Sequence, residues 1–445
     1  MITRPIKFFI CTRDRHQLVE RCVAAICRAV QLAFPYVVAE IFIFDDCTSI
    51  TESVKLREIT NRNLDNLKIN IIGPQQQEIF FRHLVGLNNE YMTLLRSSCK
   101  QLGTGEWDLA GVRNFAFLYA FTFADEEDLI IFLDDDILFE DAVYQGHYIP
   151  IDGATVLRNL YNATPAGKLV ACGTGYWGCA DVSILQHLIR VYRHLTGLIS
   201  ASINDTVESD EIMRVLKDIG QFPHNLPIQL QLPNQETIEE MGNGEGGISG
   251  AVLAVTPTSL LSHGLARFYN EDWIWLALLG SSNDVVNRVR TNVIHAAPTR
   301  SMITVQFLVY QEVGEIVYSS IKTAMRTAPD SCDKIAWCRT SLNNQHFSKA
   351  KESELEDIYG CLDLIVDAKS MLTKSKYINH RGVYQAISGI DQSQHFLEQT
   401  AMQIRLKSMK ELYDEVLSYL NRAYLWRGAL ESAGMKIKGF ECLSN

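Results

Sequence analysis

The stretch Ile130-Ile131-Phe132-Leu133-Asp134-Asp135-Asp136-Ile137-Leu138-Phe139 places three consecutive aspartates directly after an apolar, β-favouring run. The pattern predicts a buried strand that ends in three carboxylates. Clustered carboxylates repel one another unless a cation or hydrogen-bond donors offset their charge. A solvated acidic turn is one interpretation, and a site for a hard divalent cation such as Mg²⁺ or Mn²⁺ is the other. The strand-end position favours the metal site, because open α/β sheets bind ligands there.

The residues before this stretch alternate between strand-like and helix-like patterns. Residues 6–12, 39–44 and 67–72 predict strands, and apolar residues at helical spacing follow the first strand. A helix is predicted from residue 111 to about residue 122. We therefore expect an α/β fold with a mostly parallel sheet flanked by helices, in which the strand ends at Thr12, Asp45 and Asp134 share one edge.

Length, composition and missing motifs restrict the class of protein. At 445 residues the chain exceeds a usual single domain, so two domains or one domain with an appendage are expected. The net charge of −11 argues against a surface that coats nucleic acid. The sequence has neither a GxGxxG after its first strand nor a GxxxxGK[ST], which argues against Rossmann dehydrogenases and P-loop NTPases.

The eleven cysteines contain no CxxC pair, and many have apolar neighbours, which indicates buried free thiols in a reducing compartment. The first residues run into a strand pattern rather than a signal-peptide core. No apolar stretch approaches the roughly 18 residues of a membrane span. We therefore expect a cytoplasmic protein without a transmembrane segment.

Three downstream segments carry further candidate groups. Gly242-Asn243-Gly244-Glu245-Gly246-Gly247-Ile248-Ser249-Gly250-Ala251 is the most glycine-dense stretch, typical of a ligand-approaching loop or of a mobile surface loop. Glu271 and Asp272 lie among aromatic residues that could desolvate a carboxylate and raise its pKa into a general base's range. The alternative is an acidic first turn of a helix. His295 ends a short apolar run, where a lone histidine is more often structural than a metal ligand.

The chain changes character after about residue 329. Long helical patterns cover residues 352–372 and 396–433, with Leu, Met and Tyr between charged residues. This predicts a helical C-terminal appendage. Its apolar stripe fits intramolecular packing or a homo-oligomer interface, with a membrane surface as the weaker alternative.

Taken in order, these segments resemble the GT-A glycosyltransferases, in particular the family-2-like nucleotide-diphospho-sugar transferases. The motifs that carry the resemblance are Ile10-Cys11-Thr12-Arg13-Asp14-Arg15, Phe44-Asp45-Asp46-Cys47-Thr48-Ser49, Gly111-Val112-Arg113-Asn114, the DxD-like Asp134-Asp135-Asp136, Gly246-Gly247-Ile248-Ser249-Gly250-Ala251 and Glu271-Asp272. The resemblance covers about residues 1–310, with an insertion at about 140–245. Residues 311–445 form a separate helical domain or appendage that no motif matches.

The resemblance implies a metal-dependent transfer of a sugar from a UDP- or GDP-sugar to an unidentified acceptor hydroxyl. Asp134, Asp136 and His295 would hold Mn²⁺ or Mg²⁺, which would act as a Lewis acid on the diphosphate. Asp272 would be the catalytic base, with Glu271 as second choice. The implied nucleotide-sugar pocket comprises Thr12, Arg13, Asp45, Asp46, Arg113, Asp135 and Gly247.

The chain departs from the family pattern at three points, and two other functions compete. Arg13 replaces a common aromatic, Cys47 replaces the usual glycine, and no QxxRW follows Glu271-Asp272, which argues against a processive synthase. A sugar nucleotidyltransferase would need a glycine-rich, Arg/Lys-bearing loop after the first strand, which is absent. A catalytically degenerate GT-A domain that acts as a scaffold would not need Asp134, Asp136, Asp272 and His295.

Overall fold

The computed structural model describes thirteen segments of the chain. They are residues 4–37, 39–61, 67–105, 108–144, 147–178, 184–202, 209–220, 238–241, 251–279, 285–295, 304–329, 332–374 and 381–437. All structural statements below concern these residues.

Eleven strands occur in these segments, nine of them in one central sheet. The strands are β1 (Ile6–Thr12), β2 (Ala39–Asp45), β3 (Leu67–Ile72), β4 (Leu129–Asp134), β5 (Ile137–Leu138), β6 (Glu140–Tyr144), β7 (His147–Asp152), β8 (Val170–Gly178), β9 (Ile238–Met241), β10 (Val252–Val255) and β11 (Val285–His295). The first and third strands have the bounds predicted from the sequence, and the second is one residue longer. The apolar run before the aspartate triplet is β4, as predicted.

The central sheet has the order β3-β2-β1-β4-β10-β8-β11-β5, and β9 pairs with β11 outside this path. The pairings orient β1, β2, β3, β4, β8 and β11 in one direction and β5, β9 and β10 in the other. The prediction of a mostly parallel sheet is therefore confirmed. The segment expected as an insertion supplies β8, which lies inside the sheet between β10 and β11.

Fifteen helices accompany the strands. They are α1 (His16–Ala33), α2 (Ile50–Glu58), α3 (Pro74–His83), α4 (Asn89–Ser98), α5 (Leu109–Phe123), α6 (Gly153–Ala163), α7 (Ile184–Ser202), α8 (Ser209–Ile219), α9 (Pro257–Leu260), α10 (Glu271–Ala277), α11 (Val305–Met325), α12 (Lys334–Ser341), α13 (Asn344–Lys374), α14 (Arg381–Leu406) and α15 (Met409–Ile437). None of these helices combines the length and the apolar character needed to cross a membrane.

Both faces of the sheet are covered, because successive side chains of its strands point to opposite sides. In β1, Phe8 and Ile10 belong to a core that includes apolar residues of α1 and α6. Phe9 and Cys11 belong to the core on the other face, which includes residues of α3, α4, α5 and α15. A strand buried on both faces needs a continuous apolar run, and β1 has one from Phe8 to Cys11.

The helices α7, α8 and α11 to α14 share a separate hydrophobic core. The two helices of the expected insertion thus pack with C-terminal helices that lie more than one hundred residues later in the sequence. The apolar stripe of this region is buried within the chain, which agrees with the interpretation of this stripe as intramolecular packing. The predicted pattern 396–433 is divided between α14 and α15, because the Ser408 Oγ accepts a hydrogen bond from Glu411 N at 3.3 Å and starts a new helix.

Buried carboxyl groups lie between α11 and α13. Glu312 is 1 % exposed and interacts with Glu354, and a hydrogen bond between two carboxyl groups requires a proton on one of them. Burial, with the hydrogen bond that protonated Glu312 donates to Glu354, raises the pKa of Glu312 well above its ordinary value. Burial also raises the pKa of Glu315 to about 7, against the opposing hydrogen bond from Asn270. These carboxyls are therefore stable in the fold when protonated.

We predict that these acids make the protein less stable as the pH rises. A group whose pKa is higher in the folded state stabilises the fold fully below its unfolded pKa of about 4.3, and this contribution is lost as the pH rises through the folded pKa. Glu312→Gln supplies a permanently neutral group. It should increase the free energy of unfolding at pH 8 by about 1 kcal/mol or more and leave it nearly unchanged at pH 4.5.

Urea unfolding at several pH values measures this effect. Glu356→Gln is the matched control, since Glu356 is an exposed residue of the same helix as Glu354. If Glu312→Gln is destabilising at pH 8, the buried carboxyl carries its charge in the folded protein and the prediction is wrong.

Candidate functional site

The carboxyl ends of β1 and β4 form a switch point in the sheet. β2 and β3 follow on one side of β1, whereas β4 lies on its other side, so the strand order reverses here. Open α/β sheets bind ligands in the crevice at such a point. The register sets Cys11 of β1 opposite Asp134 of β4. The aspartate triplet therefore begins where this topology provides a ligand site.

Thr12 connects the ends of three strands. Its Oγ1 donates a hydrogen bond to Asp135 Oδ2 at 2.7 Å, and its carbonyl oxygen accepts one from Asp46 N at 3.0 Å. Thr12, Asp46 and Asp135 are buried. The predicted meeting of the strand ends at Thr12, Asp45 and Asp134 is also observed, because the register sets Thr12 opposite Asp45 and Cys11 opposite Asp134.

Asp134, Asp136 and His295 form a group with the geometry of a metal site. One ligand atom from each of these residues lies within 4.8 Å of the others, and Asp136 and His295 are buried. The antiparallel pair of β5 and β11 places His295 opposite Ile137, the residue after the triplet. His295 Nε2 consequently lies 3.0 Å from Asp136 Oδ1. Two carboxylates and one imidazole are donors that suit a divalent cation.

Two arginines pair with this acidic group. The Arg113 guanidinium donates from Nη2 to Asp134 Oδ1 and from Nη1 to Glu271 Oε1, the latter at 2.8 Å. Arg15 Nη1 lies 3.1 Å from Asp135 Oδ1 and 3.5 Å from Asp136 Oδ2. Burial disfavours the charged form of Arg113, but Asp134 and Glu271 outweigh it and raise its pKa above the ordinary value. Both guanidiniums therefore offset the repulsion within the triplet.

Neighbouring aspartates of the triplet have opposite pKa shifts. Burial and the charge of Asp136 raise the pKa of Asp135. Burial acts on Asp136 in the same direction, but the charge and hydrogen bond of His295, with the charge of Arg15, lower its pKa below the ordinary value. Asp136 is thus ionised, as a metal ligand must be.

The two candidate bases begin α10. Asn270, at the N-cap, has a left-handed backbone conformation with a φ of 62° and donates from Nδ2 to Glu315 Oε1 at 2.9 Å. Burial and the neighbouring Asp272 raise the pKa of Glu271 to about 7, although Arg113 opposes the shift. A general base works best with a pKa near the operating pH. By this criterion Glu271, the second choice from the sequence, is a suitable candidate for the base.

Asp45 and Asp46 follow one another at the end of β2 but have different partners. Asp45 Oδ1 accepts from Cys47 N at 3.0 Å and Oδ2 from Ser53 Oγ at 2.5 Å. Asp46 Oδ1 accepts from Lys100 Nζ at 2.5 Å. Burial raises the pKa of Asp46, although the hydrogen bond from Lys100 opposes the shift. Both carboxylates are thus held in place by the chain itself.

The segment 100–105 covers the end of β2. Gly103 has a φ of 73°, which L side chains rarely adopt, and its N–H donates to Asp46 Oδ1 at 2.8 Å. The Arg13 guanidinium donates to the carbonyl oxygen of Gly105 and lies 3.6 Å from Asp46 Oδ2. Arg13, predicted in the nucleotide pocket, therefore links this covering segment to the strand end.

Sequence reasoning did not assign a role to two cationic residues of this region. The sequence could have indicated Arg15, because it is the second arginine shortly after β1. Lys100 had no such signal, since it lies 54 residues from its partner Asp46. Gly247, predicted to face the donor sugar, lies outside the described residues, as does the glycine-dense stretch from 242 to 250.

A separate cavity of about 220 Å³ lies between α4, α5, the segment 264–267 and α15. Asn114 lines it, yet the Asn114 amide already donates to the carbonyl oxygens of Ser98 and Leu265 and accepts from Leu265 N. Tyr419, another lining residue, donates to the carbonyl oxygen of Gly264 at 3.1 Å. These polar groups make their hydrogen bonds within the cavity wall. They therefore give no indication of a ligand.

Comparison with known proteins does not place the chain in a family. No protein-family profile matches the sequence. No curated protein matches it either. The functional argument therefore depends on the geometry of the site.

We predict that Mn²⁺ stabilises the protein and that Asp136→Asn or His295→Ala abolishes the effect. A ligand that binds only the folded state at 100 times its Kd stabilises the fold by about 2.7 kcal/mol. Thermal unfolding with and without the metal measures this stabilisation. Asp367→Asn, at an exposed position of α13, is the matched control and should respond like the wild type. An equal metal response of all four proteins would exclude the group as the binding site.

Proposed function

We propose that this chain is a metal-dependent glycosyltransferase that uses a nucleotide-diphosphate sugar, with Mn²⁺ or Mg²⁺ as its cofactor. One observation carries the proposal: at the switch point of the sheet, a group of metal-ligand residues is connected to a candidate base. Arg113 makes this connection, since it pairs with both Asp134 and Glu271. The order of the GT-A-like motifs along the sequence supports the same function.

In this proposal the chain's residues divide the work of substrate binding and proton transfer. A cation on Asp134, Asp136 and His295 supplies Lewis-acid stabilisation to the leaving diphosphate when bound. Thr12, Asp45, Asp46 and Asp135 shape the nucleotide pocket at the strand ends, with Arg13 and Arg113 at its sides. Glu271 or Asp272 accepts the proton of the acceptor hydroxyl. The partners are a UDP- or GDP-sugar and an acceptor that bears a hydroxyl group.

We also propose that the protein works in a reducing compartment such as the cytoplasm. Nine cysteines in the described part of the chain are free thiols, and all but Cys332 are buried. Burial raises the pKa of Cys11 to about 12, against the opposing charge of Arg113, which keeps this thiol protonated and unreactive beside the site.

We predict that a nucleoside diphosphate raises the melting temperature only together with Mn²⁺ or Mg²⁺. Thermal unfolding with UDP, GDP and their sugars, each with and without metal, measures this linkage. Slow hydrolysis of the bound donor should accompany binding and should be lost in Asp136→Asn. Binding without any hydrolysis would favour a degenerate, scaffold-like domain. A failure of every nucleotide to bind with metal would refute the proposal.

A second prediction concerns which acid is the base. If Glu271 accepts the proton, donor hydrolysis should increase through about pH 7, because the base must be deprotonated to act. Glu271→Gln should remove this increase and lower the rate by about 10²-fold or more. Asp272→Asn is the matched comparison. If only Asp272→Asn removes the pH dependence, the assignment of the base reverses.

A further inference from the structure

Arg15 combines a fixed backbone with an accessible guanidinium. Its carbonyl oxygen accepts hydrogen bonds from Leu18 N at 3.0 Å and Val19 N at 3.2 Å, which anchors the residue at the start of α1. Its side chain is 43 % exposed, whereas those of its partners Asp135 and Asp136 are 5 % and 4 % exposed. The guanidinium can therefore leave these acids for solvent without a change in the main chain.

Arg113 differs from Arg15 in this respect. Its side chain is 10 % exposed and pairs with Glu271 as well as with Asp134. If Asp134 binds a metal ion, Arg113 keeps Glu271 as an ion-pair partner. Arg15 has both of its ion-pair partners in the triplet. The two cations therefore respond differently when a metal ion enters.

The charges around the triplet make Arg15 and a metal ion competitors. The three carboxylates of the triplet and that of Glu271 share two guanidiniums, so carboxylates outnumber the cationic groups when His295 is neutral. Asp136 belongs both to the metal-ligand group and to the Arg15 ion pair. A divalent cation on the triplet would offset its negative charge, repel the nearby Arg15 guanidinium and weaken the attraction that holds it there.

We propose that a metal ion displaces Arg15 from the triplet and that the released guanidinium then binds an anionic phosphate oxygen. The inference rests on the metal site of the proposed function and adds an anion subsite beside it. Arg15 directly precedes His16, the first residue of the 18-residue helix α1. The partial positive charge of a helix N-terminus favours anionic groups, and the Glu52 carboxylate already accepts from His16 N there at 3.4 Å. A guanidinium can bind two phosphate oxygens at once, which suits a diphosphate.

The test measures two affinities of Arg15→Gln by calorimetry with the full chain. Mn²⁺ alone should bind about 5-fold or more tightly than to the wild type, because a competing cation is gone. Inorganic pyrophosphate with saturating Mg²⁺ should bind about 10-fold or more weakly, because a charge-assisted contact is lost. Opposite changes of the two affinities are the signature, since a damaged site would lose both ligands together.

Two variants serve as controls. Arg28 lies about 20 Å further along α1 and pairs with Glu140, so Arg28→Gln should leave both affinities unchanged. Arg15→Lys keeps the charge without the planar fork, and it should restore the Mn²⁺ affinity of the wild type but only part of the pyrophosphate affinity. UDP, measured in parallel, shows whether the subsite accepts a nucleoside diphosphate as well as the free anion.

Unchanged affinities in Arg15→Gln, or a parallel loss of both, would overturn the inference and leave Arg15 as a structural ion pair. The result is separable from the fate of the proposed function, because the metal and pyrophosphate measurements involve no sugar donor. If opposite changes occur and no nucleotide sugar binds, the anion subsite stands and the glycosyltransferase proposal fails.

Discussion

The arrangement of this site depends on the mutual repulsion of three adjacent carboxylates at one strand end. Four elements supply the compensating groups: Thr12 ends β1, Arg15 precedes α1, Arg113 lies in α5 and His295 ends β11. Each group acts on a different part of the triplet, so each carboxylate has its own environment. The repulsion within the triplet is offset only after distant parts of the chain have come together. The sheet must therefore assemble correctly before the three carboxylates can be accommodated side by side.

The sequence allowed the prediction of features that depend on neighbouring residues. The strand at Ile6–Thr12 and the acids after β2 and β4 follow from local patterns, and parallel strands then bring their ends to one edge. The pairing of Asp46 with Lys100 was not predictable, because no local pattern specifies a contact across 54 residues. For the same reason, the sequence did not predict that α7 and α8 pack with the C-terminal helices.

The helical region positions the candidate base through close backbone contact. A Cβ atom at Gly314 of α11 would lie 2.6 Å from the carbonyl oxygen of Tyr269, so only glycine permits this approach. One residue later in the chain, Asn270 binds Glu315 of the same helix at 2.9 Å and turns the backbone into α10. The helical region therefore determines where Glu271 meets Arg113, and the two parts of the chain act together at the site.

The last described helix, α15, has a consequence for how the chain is made. Trp426 is buried in the core that covers one face of the sheet, and its Nε1 donates to the carbonyl oxygen of Leu260 at 3.1 Å. The ribosome synthesises the strands and α5 before residues 409–437. The apolar surface against which Trp426 packs is therefore uncovered until these residues emerge. During that interval the nascent protein exposes this apolar surface, and exposed apolar surface on an incompletely folded chain promotes aggregation.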